Sequence, residues 1–380
     1  EGVRCMIEPT TLTVSGERIV ATYEFHGDPA TARSRADALR VEQTIEFPAD
    51  LVPDDDIQRE VVGRIESLDE LGPDLARAVV SYAVETTGFE LPQLLNVLWG
   101  NSSILPGIRL VDVTFPGSLL ARFAGPRFGI AGLRELFDAP SRPLLATALK
   151  PMGLSPERFA DQAHRLALGG LDLIKDDHSL ADQEFAVYRD RVAACAAAVR
   201  RANEETGGRS VYLPSLNAPY DQLDARLDVA LEAGVGGLLV LPGLTGLDHL
   251  RHLAATVDLP IMGHPAFLGS FSASPTSGIA HHVIYGTLMR LAGADMSIYP
   301  NYGGRFSFST DECHAIADRL VAPMGAISPA FPSPGGGMTL ARVPEIVEFY
   351  GPDVTLLIGG DLHRGEDLTT TAAAFKAAIS

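Results

Sequence analysis

From about Pro143 onward the chain repeats one unit eight times: a short apolar run followed by a segment with helical periodicity. The runs are PLLATALK (143–150), LDLIKDD (171–177), SVYLPSL (210–216), GGLLVLP (236–242), LPIMGHP (259–265), ADMSIYP (294–300), GAISPAF (325–331) and VTLLIGG (354–360). Strands that are apolar along their whole length are buried on both faces, as in a parallel sheet covered by helices. Eight such units imply a closed (β/α)8 TIM barrel over 143–380. The segment SPERFADQAHRLALGG shows the helical half of the unit, with Ser155 as N-cap, Pro156 at the first helical position and Gly169 as stop. An open doubly wound sheet is the alternative, but PMGLSPE follows the first run where a dinucleotide-binding sheet needs its glycine fingerprint.

The first 125 residues differ. Alternating strands such as ERIVATYEF and IRLVDVTFP flank helical stretches expected at 30–40 and 71–86, which indicates a small amino-terminal α+β domain. Residues 126–142 read as a connection.

A formal net charge of −18 without a long run of arginines argues against nucleic-acid and anionic-membrane partners. Cys5, Cys195 and Cys313 are too few and too far apart for a disulfide framework, which fits a reducing cytoplasm. No stretch approaches the roughly 20 apolar residues of a membrane span.

Barrels of this kind carry their chemistry at the carboxyl ends of the strands. Of 30 Lys and Arg residues only Lys150, Lys175 and Lys376 are lysines, and the first two end the first two apolar runs. Lys175 and Asp177 share a strand face and His178 follows in the loop. Oxygen donors of this kind suit Mg2+, and a lysine joins them only if its charge is removed, for example as a carbamate. An Asp–Lys ion pair closing the barrel mouth is the competing reading, and His178 is a poor magnesium donor. Lys150 is a candidate base or electrostatic partner, unless its stem simply packs along the wall. His264 after the fifth run is a proton donor, a substrate ligand or an ordinary buried histidine. Asn217 follows the third run. Gly335, Gly336 and Gly337 after the seventh, and Gly359 and Gly360 after the eighth, suit backbone contacts to a phosphate, with Arg305 and His363 nearby; simple turn chemistry is the alternative.

ALKPMGLS (148–155), GGLDLIKDDHSLADQEFAVYRDRV (169–192), IMGHPAF and the order of the glycine loops resemble the RuBisCO superfamily, specifically its RuBisCO-like, non-carboxylating form IV branch. The resemblance implies that Lys175 is carbamylated and binds Mg2+ with Asp177, and that Lys150 lies beside an enediolate. It also implies that the amino-terminal α+β domain is ferredoxin-like, and a homodimer or assembly of dimers in which Glu42 and Asn101 reach a neighbouring subunit's site. His178 stands where the family has a second metal carboxylate. KPMGLS lacks a second lysine, Pro265 replaces an arginine, and PNYGGRFSFS has no lysine to stabilise a carboxylated intermediate, which excludes carbon fixation. The leading expectation is carboxyl transfer or hydrolysis on a phosphorylated keto sugar acid like 3-oxo-isoapionate 4-phosphate. The alternatives are an enolase or isomerase of methionine salvage acting on a substrate such as 2,3-diketo-5-methylthiopentyl 1-phosphate, and a non-catalytic binding protein.

Overall fold

The computed structural model describes residues 8–306 and 308–380; Cys5 lies outside them, and Cys195 and Cys313 are buried free thiols. Among the described residues thirteen strands form two sheets. No helix among the described residues is long and apolar enough to cross a membrane.

One compact unit comprises the described residues up to Phe123 together with Gly269–Ile284. Its strands are β1 (Arg18–His26), β2 (Arg64–Gly72), β3 (Leu75–Ala83), β4 (Ile108–Thr114) and β10 (Gly278–Ile279), in the order β10-β4-β1-β3-β2. Alternate residues Ile19, Ala21, Tyr23 and Phe25 of β1 are buried, and the Tyr23 hydroxyl donates to the Leu98 carbonyl at 2.7 Å. Helices Ala32–Glu42 and Leu91–Trp99 belong to this unit. The helix expected over 71–86 is instead the hairpin strand β3: Ala76, Ala78, Val80 and Tyr82 alternate in burial with a period of two. Abundant alanine in this stretch imitates helix propensity, but the strand pairing of both neighbours overrides it. Residues 269–284, expected as part of the barrel, leave it after the fifth strand and add β10 parallel to β4.

The second unit, Ala124–Leu268 with Tyr285–Ser380, is the barrel. Its parallel strands are β5 (Leu144–Leu149), β6 (Leu173–Asp176), β7 (Val211–Leu213), β8 (Leu238–Val240), β9 (Ile261–Gly263), β11 (Met296–Pro300), β12 (Phe331–Gly335) and β13 (Thr355–Ile358). The sheet closes beyond β7, where Leu239 N donates to the Pro214 carbonyl and Leu216 N to the Leu239 carbonyl, both at 2.9 Å. The inner core is built from Leu144, Ala146, Leu173, Leu213, Leu239, Met262, Met296 and Phe331. The stretch expected as a mere connection contains helix Gly129–Leu136, whose Ile130 and Leu133 join this same core. Asp295 fastens it, accepting from Phe128 N at 2.7 Å, Gly129 N at 2.8 Å and Ile261 N at 2.9 Å.

The seventh strand begins where its expected span ends, running FPSPG rather than GAISPAF. Proline was the reason for the misplacement, since it cannot donate to a ladder. Here Phe331 N and the Gly335 carbonyl bond toward β11, so Pro332 and Pro334 fall at alternate positions facing β13, where pairing is limited to Gly335 with Leu357. Gly335 thus belongs to the strand, and the loop starts at Gly336.

Lys376 holds structure rather than a site. At the amino end of β6, Asp172 accepts two bonds of 2.8 Å from Arg142, one of 2.9 Å from Lys376 Nζ and one of 2.9 Å from Leu145 N. Substituting Asp172→Ala leaves two cations and an amide without their acceptor, and is expected to cost about 3 kcal/mol by chemical denaturation. A change below 1 kcal/mol would show the cluster to be inert.

Candidate active site

The inward-facing register of β6 runs Leu173, Lys175, Asp177. The first of these enters the apolar core, and the next two continue its line toward the carboxyl mouth. The intervening Asp176 points the other way and is fully buried. It accepts from the Tyr212 hydroxyl at 2.6 Å, Ser215 N at 3.1 Å and Arg191 Nη2 at 3.2 Å. Arg191, also fully buried, donates from Nη1 to the Ala186 carbonyl and from the same Nη2 to the Ala181 carbonyl, so one guanidinium ties the strand to the loop that follows Asp177. The sequence offered no sign of this arrangement beyond an arginine on a helix that is otherwise rich in alanine.

Lys175 is 2 % exposed, and its Nζ donates to the Asp176 carbonyl at 3.1 Å. No ion pair to Lys175 appears among the described residues. Burial lowers its amine to about 8; Asp177 opposes that shift and Lys150 adds to it. The competing picture of a Lys175–Asp177 bridge is not what forms. Lys150, one residue past β5, takes that place with Nζ 3.4 Å from Asp177 Oδ1. Its backbone is held by the side chain of Gln162, which accepts from Lys150 N at 2.9 Å and donates to its carbonyl at 2.6 Å. Burial disfavours ionisation of Asp177. His178 beside it and the charges of Lys150 and Lys175 outweigh that, and keep the carboxyl well below its ordinary range.

His178 Nδ1 is also 3.4 Å from Asp177 Oδ1, and its ring stacks on His264 with centroids 4.8 Å apart and planes at 14°. His264 Nδ1 accepts from Ala266 N at 3.0 Å, so that nitrogen carries a lone pair and a neutral ring has its proton on Nε2. Burial and then the charges of Lys175 and His178 push His264 far below its usual value. It is therefore a neutral N–H donor rather than an imidazolium acid.

The remaining rim residues divide. Gly336 (φ 101°) and Gly337 (φ 67°) adopt the left-handed region that excludes ordinary side chains. A Cβ on Gly337 would sit 3.1 Å from the Gly303 carbonyl, so the loops after β11 and β12 pack backbone to backbone. Gly359 and Gly360 border open space. Among the described residues the amides of Gly337, Gly359 and Gly360 meet no protein acceptor, while that of Gly336 completes the short ladder with Leu357. His363 is lowered by burial and by Lys150, which brings the loop after β13 to the same mouth. Arg305 is exposed and lies over Phe306, 4.9 Å from its ring centre, while Asn217 N bonds weakly to Ser215 Oγ at 3.4 Å. In the other unit, Asn101 Nδ2 donates to Glu42 Oε1 at 2.9 Å, so these two sequence-identified residues meet.

Among the described residues no three or more His, Cys, Asp and Glu side chains are placed to hold a metal ion. Asp177 and His178 alone supply donors, 3.4 Å apart. That is near the roughly 3 Å between neighbouring donors around a cation with bonds of about 2.1 Å. A carbamate on Lys175 would add anionic oxygen and complete a donor set that fits a divalent cation; the free amine does not.

Unfolded lysine stays protonated to its ordinary 10.5, whereas buried Lys175 releases its proton from about 8. Between these values the unfolded chain holds a proton that the folded chain lacks, so stability rises with pH across that window. Lys175→Met removes the penalty. In carbon-dioxide-free buffer at pH 7 the variant is expected to equal or exceed wild type in stability, and its advantage should shrink as pH rises from 8 to 10. A constant difference across that range would contradict burial of the ammonium.

Residues 129–378 match the family model described as ribulose bisphosphate carboxylase large chain, catalytic domain. Ribulose bisphosphate carboxylase-like protein 1 of Rhodopseudomonas palustris is 42 % identical over 366 residues, covering 96 % of this chain and 98 % of that protein. A crystal structure of a Rubisco-like protein from Rhodopseudomonas palustris superimposes with a TM-score of 0.88, at 42 % identity over 96 % of this chain and 98 % of that one. The 5-methylthioribulose-1-phosphate isomerase of Rhodospirillum rubrum is 42 % identical over 96 % of both chains. The 2,3-diketo-5-methylthiopentyl-1-phosphate enolase of Geobacillus thermodenitrificans is 34 % identical over 95 % of this chain and 91 % of that enzyme. With a matching family model over most of its length and full-length relatives at this identity, the chain belongs to the RuBisCO superfamily as a RuBisCO-like protein of the form IV group.

Proposed function

We propose that this RuBisCO-like enzyme moves a proton at the carbon next to the carbonyl of a ketose 1-phosphate, an isomerisation of the 5-methylthioribulose 1-phosphate class. The observation that carries the reading is the meeting of Lys150, Lys175, Asp177, His178 and His264 at one barrel mouth, in a chain 42 % identical to an isomerase over nearly its whole length. The carboxyl transfer or hydrolysis expected from the sequence would use the same mouth, but the relatives named for a reaction above are an isomerase and an enolase. That preference, and not any feature of the pocket, separates the two readings.

Asp177, His178 and a carbamylated Lys175 would hold the divalent cation. When bound, it supplies Lewis-acid polarisation of the carbonyl and its neighbouring oxygen. Lys150 Nζ, 3.4 Å from Asp177 Oδ1, is placed to steady negative charge on the substrate's oxygens or to carry the proton between carbons. Neutral His264 offers Nε2–H to an oxygen without delivering a full charge. The amides of Gly337, Gly359 and Gly360 would take the phosphate, Gly336 would shape the turn that presents them, and Arg305 would add charge from the loop after β11. Asn101, held by Glu42, would complete the site from a second copy of the chain, as in a homodimer or an assembly of dimers.

Three substrates decide the matter: 5-methylthioribulose 1-phosphate, 2,3-diketo-5-methylthiopentyl 1-phosphate and a phosphorylated 3-keto sugar acid. Incubation in deuterated buffer with bicarbonate and a divalent cation is expected to convert the first with exchange at the carbon beside the carbonyl. Lys150→Met should lower that rate by about 10²-fold or more. Loss of a carboxyl group from the keto sugar acid, with the other two left unexchanged, would overturn the proposal.

A further inference from the structure

We infer that His178 makes this a site for a transition-metal dication, binding Mn2+ or Co2+ in clear preference to Mg2+. The inference rests on the reading that a divalent cation sits between Lys175 and Asp177, and adds which cation the chain selects.

His178 is held by geometry rather than by chance rotation. Its ring lies nearly parallel to that of His264, 4.8 Å away, which fixes the plane, and Nδ1 is turned to Asp177 Oδ1 at 3.4 Å. That separation is long for a strong hydrogen bond and suits two donors sharing a cation. The side chain is 45 % exposed, so its free side opens to the mouth rather than into packed protein. Oxygen donors are scarce around it: among the described residues Asp177 is the one carboxylate paired with it, and Asp176 is committed to Arg191, Tyr212 and Ser215 on the outer face of the strand.

Magnesium demands near-octahedral oxygen at 2.0–2.1 Å and gains most from anionic donors. An imidazole nitrogen suits the later, softer divalent ions. A carbamate, a carboxylate and a neutral imidazole give two negative charges, enough to balance the dication with none in excess. Mg2+ loses a charged oxygen by this arrangement, whereas Mn2+ and Co2+ gain a nitrogen they bind well. The metal preference is thus written into the one residue after Asp177.

The test uses the full chain, stripped of metal and supplied with bicarbonate, titrated with Mg2+, Mn2+ and Co2+ by calorimetry. Wild type and His178→Glu are compared, with Asp177→Asn marking the site. The Co2+ to Mg2+ affinity ratio is expected to fall about tenfold or more in His178→Glu. Pulsed electron paramagnetic resonance of bound Mn2+ should show a directly coupled nitrogen that changes with 15N-histidine labelling, a readout needing no variant and no turnover. Mn2+ bound in an Asp177-dependent manner without that coupling, or an unchanged affinity ratio, would overturn the inference while leaving the metal site intact. No divalent binding sensitive to Asp177→Asn would remove the metal reading itself, and this inference with it.

Discussion

The site depends on an amine enclosed by the barrel it helps to close. Lys175 follows Leu173 along the inner face of β6 and stands where the apolar core gives way to the mouth, with almost no surface in water. An ammonium in that position is costly, and no carboxylate among the described residues pairs with it directly. The consequence is a lysine brought to about 8, close enough to neutrality to react as an amine in ordinary conditions. Lys150 takes the partner that Lys175 lacks, so the two lysines are differentiated by their neighbours even though both end barrel strands.

Placement of these groups is paid for outside the barrel. Asp176, between two functional residues, faces Arg191, Tyr212 and Ser215 and fixes the strand's register from behind. Gln162 performs the corresponding task for Lys150 by bonding both of its backbone polar groups. At the opposite end Asp172 joins Arg142 and Lys376, and Asp295 anchors the helix that fills the barrel floor. Polar contacts on the outside and at the base leave the mouth free for chemistry.

Much of this was legible in the sequence, and the failures have identifiable causes. Seven of the eight apolar runs overlap their strands closely, because continuous burial leaves a continuous apolar signal. The seventh was displaced because Pro332 and Pro334 look like breakers until their position facing a weakly paired neighbour is known. The expected helix at 71–86 failed because alanine favours either state when pairing decides. Lys150, Lys175 and Asp177 were found from rarity and strand position, which alternation then brings together. The stack of His178 on His264 was hidden, since it joins two strands far apart in the chain. Arg191 and Gln162 were hidden too, because a buried polar side chain on a helix carries no spacing signature of its own.

Lys175 is expected to give up its positive charge by taking carbon dioxide to become an oxygen donor. Carbon-13 NMR of the protein equilibrated with labelled bicarbonate and a divalent cation tests this directly. One carbamate carbon per chain is expected in wild type, retained in Lys150→Met and absent in Lys175→Arg. Labelling that is missing from wild type, or that persists in Lys175→Arg, would show that Lys175 does not become that donor.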